Sequence, residues 1–218
     1  MHDPSRIGSD HDPAPKIVVI RQHRALVEFA KALSTIFNPF VCAAILFVIV
    51  SHAYSKSTLE FWVLSSTSVF CFTVLPLICV LYLYVTGRIS DFEMSDRYER
   101  ERVFLVFVAV YLLTAIGFTL VGVRQELVAV AWGYWGTALG TMLITRYWKI
   151  STHAFGITGP FAVLIALFHE IPLPYVALVP LVCWSRVYLR SHTLAQVVAG
   201  AVLAIASSIL FLKLFHII

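Results

Sequence analysis

Long apolar runs separated by short polar links dominate the chain. They fall near residues 36 to 54, 60 to 86, 103 to 123, 126 to 145, 154 to 170, 172 to 189 and 193 to 215. At 1.5 Å per residue, helices of this length approach or exceed the ~30 Å of a bilayer's hydrocarbon core. The pattern predicts an all-α integral membrane protein, a bundle of six or seven transmembrane helices. The count turns on the pair 154 to 170 and 172 to 189, which meet at His169-Glu170-Ile171-Pro172-Leu173-Pro174 and read as a tight hairpin of minimal spans. Ahead of the first run, residues 1 to 20 have the Pro- and Asp-rich make-up of a disordered polar tail. Residues 21 to 35 turn amphipathic, with Leu26, Phe29, Ala30 and Leu33 opposite Arg24, Glu28 and Lys31, the pattern of a helix lying at the membrane interface. Residues 36 to 218 then form one transmembrane domain, with no internal repeat and no early apolar core of a signal peptide.

Composition agrees. Of 218 residues, 60% are hydrophobic and 13% charged, outside the usual range of a soluble domain. Cys42, Cys71, Cys79 and Cys183 lie scattered in apolar runs without the spacing of a metal site or disulfide frame, and read as small packing residues. Gly133, Gly136 and Gly140 stand at helical spacing and read as a surface for close helix packing.

The polar residues are unequally shared between the two ends of the bundle. Two spans separate the segment 88 to 102 from Lys149-Ile150-Ser151-Thr152-His153, and two more separate that from Ser185-Arg186-x5-His192-x3-Gln196. Two crossings return a chain to the side it left, so these three segments are expected on one face. The loops 51 to 59, 123 to 127 and 169 to 174 carry only Lys56 and Arg124 as cations. Of eight histidines, only His153 and His192 stand at span entrances with cations and hydroxyls beside them. Phosphoryl transfer needs positive donors on the equatorial oxygens, an in-line nucleophile and an acid for the leaving oxygen. This face can supply all three, with helix N-termini adding backbone N–H groups.

Ser185-Arg186-x5-His192 resembles the third signature of the type 2 phosphatidic acid phosphatase superfamily, which includes the lipid phosphate phosphatases and vanadium haloperoxidases. Ser151-Thr152-His153 is similar to its second signature, and Asp91 to Arg102 occupies the place of its first. The resemblance covers the chain from about Arg88 onward. It implies the phosphatase core of that superfamily, with His192 attacking phosphorus to form a phosphohistidine and His153 protonating the leaving lipid oxygen. Arg186, Lys149, Ser151, Arg97 and Arg100 would hold the phosphate oxygens, with no metal or other cofactor. Ile150 and Thr152 stand where proline and glycine are usual, the first signature lacks its Lys-x6-Arg-Pro, and Gln196 replaces the aspartate four residues after the nucleophile. One helical turn beyond His192, Gln196 can still accept its ring N–H, preserving orientation without the charge.

The expected activity is metal-independent hydrolysis of a membrane lipid phosphate or polyprenyl diphosphate that enters laterally from the bilayer, with no nucleic-acid partner. Two alternatives stay open. One is transfer of the phosphoryl group to an alcohol, or magnesium diphosphate chemistry on Asp91-x-Glu93-x-x-Asp96 as in membrane prenyltransferases; the other is a non-catalytic lipid-phosphate binding or transport protein. Of the 16 Lys and Arg residues, all but Lys56, Arg124 and Lys213 fall to the tail and the furnished face. The positive-inside rule therefore predicts an active site on the cytoplasmic face of the plasma or inner membrane.

Overall fold

The computed structural model describes residues 14–91, 96–169 and 173–218, with side chains described for all of these except 14–23, Arg97, Leu173 and Pro174. Among the described residues every regular element is a helix, as the apolar periodicity predicts. The elements are α1 (Ala14–Ile36), α2 (Pro39–Tyr54), α3 (Thr58–Val69), a π-helical turn (Phe70–Val74), α4 (Leu75–Val85), α5 (Arg97–Val121), α6 (Gln125–Thr145), α7 (Thr152–Phe168), α8 (Leu173–Val176), α9 (Leu178–Tyr188) and α10 (Leu194–Leu214). Helix α1 starts at Ala14, ahead of the amphipathic segment expected from Arg21, and the rest of the expected tail lies outside the described residues.

Four stretches are long and apolar enough to cross a membrane: Thr58–Val85, Tyr98–Val121, Gln125–Thr145 and Leu194–Leu214. The pair Arg24–Ile36 and Pro39–Tyr54, bent by 46°, makes a fifth if counted as one span, which is consistent with an integral membrane protein. Helices α7 and α9 are apolar but shorter, so length alone does not reach the expected six or seven. A proline makes the bend between α1 and α2. Pro39 lacks the N–H that would continue α1, and Asn38 turns the break into a corner: its Oδ1 accepts from Phe40 and Val41 N–H at 3.0 Å, and its Nδ2 donates to the Thr35 carbonyl.

A proline also shapes the middle of the bundle. Pro76 cannot donate to the Phe72 carbonyl four residues back, and the freed oxygen accepts the Tyr111 hydroxyl at 3.3 Å. The π-helical turn there brings Phe72 against Phe47, with ring centroids 4.4 Å apart.

Helices α5, α6, α7 and α10 form the tightest-packed group. Along α6, a Cβ on Gly136 would come within 2.6 Å of Ser207 and Phe211, and one on Gly140 within 2.7 Å of Leu203, so the glycine stripe is where α10 lies against α6. Where α7 starts, a Cβ on Gly156 would meet Pro39 of α2 at 2.7 Å. A close backbone approach joins α10 to the same end of α7: a Cβ on Gly200 would stand 2.7 Å from the Ser151 carbonyl oxygen. On α1, Ala30, Leu33 and Ser34 are buried, with α1 packed on α9, whereas Leu26 and Phe29 of the same apolar face stay exposed.

Gly200→Ala is therefore expected to push α7 and α10 apart and cost ~1–3 kcal/mol, as overpacking does. Gly117→Ala, where an added Cβ meets nothing within 4 Å, is expected to be neutral or to gain up to about 1 kcal/mol of helix propensity. Thermal unfolding of the detergent-solubilised variants measures both, and equal effects would remove the special role of Gly200.

Candidate active site

The spacing from Arg186 to His192 has a backbone cause. After α9 the chain turns back through Arg190, which takes a left-handed φ of 55°, and both Ser191 and His192 donate their N–H to the Arg186 carbonyl, at 3.1 and 3.2 Å. The arginine and the histidine are thus two ends of one closed loop. Thr193 then caps α10, its hydroxyl accepting from Gln196 N–H at 3.3 Å while Gln196 Oε1 accepts from Thr193 N–H at 3.1 Å.

That capping box settles the tautomer of His192. Gln196 Oε1 lies 3.2 Å from His192 Nδ1, and its simultaneous acceptance of the Thr193 N–H identifies the amide atom as oxygen. An amide oxygen only accepts, so Nδ1 carries the proton and Nε2 keeps its lone pair. His192 is nearly buried, at 8% exposure. Burial and the Arg100, Lys149 and Arg186 cations hold its pKa down to about 4, against the opposing pull of the Gln196 hydrogen bond. At neutral pH it is an uncharged imidazole with a free basic nitrogen.

Helix α7 brings the second histidine. Ser151 caps it, accepting the Ala154 N–H on its hydroxyl at 3.3 Å, and His153 follows in the first turn. Ser151 N–H donates to the Gln196 carbonyl at 3.1 Å, tying the start of α7 to the start of α10. The ring of His153 lies against the Ser34 carbonyl, and its Nδ1 is buried with no hydrogen-bond partner among the described residues. Arg100 and Arg186, whose charges act on His192, also act on His153. The structure therefore gathers His153, His192, Arg100, Arg186 and Lys149 in one place, and the N-terminal ends of α7 and α10 converge there with their positive dipole ends.

Both arginines are interior. Arg100, 2% exposed, reaches across from α5 to donate to the Ile150 carbonyl, while its Nε has no partner among the described residues. Arg186, 4% exposed, donates to the Ser34 hydroxyl at 2.6 Å. The two guanidinium groups are close enough to repel each other. Like charges held together away from water favour an anion between them.

The other expected ligands fare differently. Ser151 is fully buried and its hydroxyl is already engaged in capping, with its own hydrogen still to donate. Arg97 opens α5, but its side chain lies outside the described residues. Arg102, the neighbour left out of the expected set, is exposed. In the acidic run considered for magnesium, Asp96 caps α5 by accepting from Tyr98 and Glu99 N–H, and Glu93 lies outside the described residues. Ser34 is the residue that sequence reasoning missed: from α1 it holds Arg186 with its hydroxyl and faces His153 with its carbonyl. Its only sequence signal is a small polar residue beside Leu33 on an amphipathic helix.

No protein-family model, curated protein or solved structure matches the chain.

The His192 ring is expected to titrate near pH 4 rather than near 6.5, measured from its NMR ring shifts. Because the Gln196 hydrogen bond favours the protonated ring, Gln196→Ala should move the titration to still lower pH. A midpoint at the ordinary histidine value in both proteins would mean that neither the burial nor the cations act on this ring.

Proposed function

We propose that this protein is a metal-independent phosphatase of membrane lipid phosphates or diphosphates, built on the type 2 phosphatidic acid phosphatase core. The observation that supports it most is that the same two buried guanidinium groups bear on both imidazoles. In this reading Arg100, Arg186 and Lys149 hold the phosphate oxygens. His192 Nε2 attacks phosphorus and forms the N–P bond as the P–O bond to the lipid breaks, and His153, which takes up the proton that the phosphate monoanion brings, passes it to the departing oxygen. Water, losing a proton to His153, then attacks the phosphohistidine; the N–P bond breaks and inorganic phosphate leaves. Gln196 orients the attacking ring in place of an aspartate. Its neutrality costs the intermediate some stabilisation, but leaves one negative charge fewer to repel the substrate.

The finer architecture follows the same reading. With α2, α3–α4, α5, α6, α7, α8–α9 and α10 as seven passes, the starts of α5, α7 and α10 and the ends of α6 and α9 share one face, and the short α7 and α9 let polar chemistry sit below the bilayer surface. The lipid enters laterally. The excess of Lys and Arg on that face supports a cytoplasmic site that serves the inner leaflet.

His192→Ala should abolish phosphate release from lipid phosphates, and the wild-type protein should trap an acid-labile, base-stable phosphoryl adduct on His192. An adduct that persists in His192→Ala contradicts the assignment. His153→Ala should be slow on lipid phosphates by ~100-fold or more, yet recover partly on p-nitrophenyl phosphate, whose leaving group needs little protonation. For sidedness, single cysteines at Ser5 and at Ser57 in a Cys-free background are treated with an impermeant thiol reagent on intact cells. Labelling is expected at position 57 alone, and labelling at position 5 alone would place the site outside.

A further inference from the structure

A cavity of about 280 Å³ runs from the candidate site into the bundle. Asn38, Thr152 and His153 stand at one end and Tyr134 and Ser208 among its deeper lining, so it begins at the group assigned to protonate the leaving oxygen. Phe104, Phe107 and Tyr111 line it from one face of α5, at the three- and four-residue spacings that align side chains along a helix, over ~10 Å of helix length. Its bore is made by small residues, Ala43, Ala138, Gly159 and Ala204, which leave room between the rings. Packed interiors rarely keep a void of this size, and such voids destabilise a fold. Apolar walls would leave it dry when empty.

We infer that this cavity is a sleeve for one hydrocarbon chain, so that the site takes single-chain lipid phosphates, such as a prenyl or alkyl phosphate, in preference to a diacylglycerol phosphate. The inference rests on the phosphatase reading of the site. An apolar cavity of roughly 150 Å³ accepts one benzene ring, so this one has room for roughly a dozen carbons in a single file. Two acyl chains branching from one glycerol need about twice the room of one, and this cavity has room for roughly a dozen carbons in all. The aromatic walls suit a slender chain whose C–H bonds meet ring faces along its length. With the phosphate between Arg100 and Arg186 and the first carbons past His153, the chain runs on toward Tyr134.

The test uses purified full-length protein with three substrates: decyl phosphate, dioctanoyl phosphatidic acid and chainless p-nitrophenyl phosphate. Wild-type protein should favour decyl phosphate over the diacyl lipid by about tenfold or more in kcat/KM, the scale at which hydrophobic pockets discriminate. Ala138→Phe, which fills the bore, should lower kcat/KM for decyl phosphate by about tenfold or more and leave p-nitrophenyl phosphate within about twofold. Equal use of decyl phosphate by Ala138→Phe and wild type, or no preference over the diacyl lipid, overturns the inference. A readout without turnover covers a misfolded variant: decyl phosphate carrying a diazirine near its methyl end is photolysed with wild-type protein, and the adducts are mapped by mass spectrometry. Adducts at Phe72, Tyr111 or Tyr134 support the sleeve even when no phosphate is released, in which case it is the phosphatase reading that fails. Phosphate release with adducts only on outward-facing residues such as Leu113 or Val121 leaves that reading intact and overturns the sleeve.

Discussion

The contact between the first turns of α7 and α10 is the constraint on which the candidate site depends. Ser151 N–H reaches the Gln196 carbonyl, and Gly200 lets the two backbones close to a distance that a methyl group would block. One hydrogen bond inside a protein contributes only ~1 kcal/mol net. Its structural effect is larger, because it sets the register of two helices whose first residues carry the two histidines. A shift of one residue along either helix would rotate His153 or His192 by about 100° around its axis and separate them.

Around that junction, charge and hydrogen bonding divide the work. The closed Arg186-to-His192 loop fixes the position of the ring, and the capping box fixes its tautomer, so orientation is obtained entirely from α10's own N-terminal chemistry. Burial and the neighbouring cations keep that ring neutral, and it stands with His153 beside two buried guanidinium groups. Such a site is electrostatically incomplete when empty. An arriving phosphate would relieve the repulsion between Arg100 and Arg186 and receive charge-assisted hydrogen bonds away from competing water.

Much of this was legible in the chain because polar residues in a bilayer-length apolar pattern are expensive and therefore few. Counting crossings placed Lys149, His153, Arg186 and His192 on one face, and the structure brings them together. The amide contact of Gln196 followed from its place one turn after His192. The helix count was less legible, since hydropathy registers apolar length but not the corner at Asn38-Pro39 that bends α1 from α2, nor the helical lengths of α7 and α9, which fall short of their apolar runs. The sequence could not single out Arg100 among the arginines of its segment, because the choice depends on which face of α5 meets Ile150. Ser34 and Gly200 were illegible for the same reason: each matters only through a residue more than forty positions away. The cavity beneath His153 is likewise a property of five helices at once, and no local pattern encodes it.

The central claim is that both histidines and both arginines serve one phosphate-sized anion. Orthovanadate, whose five-coordinate form resembles the phosphoryl transition state, tests it most directly when titrated into purified protein while the histidine ring signals are followed by NMR. The account predicts one vanadate per chain, moving the signals of His153 and His192 together, with both responses lost in Arg100→Gln. Binding that moves only one ring, or that survives in Arg100→Gln unchanged, would contradict it.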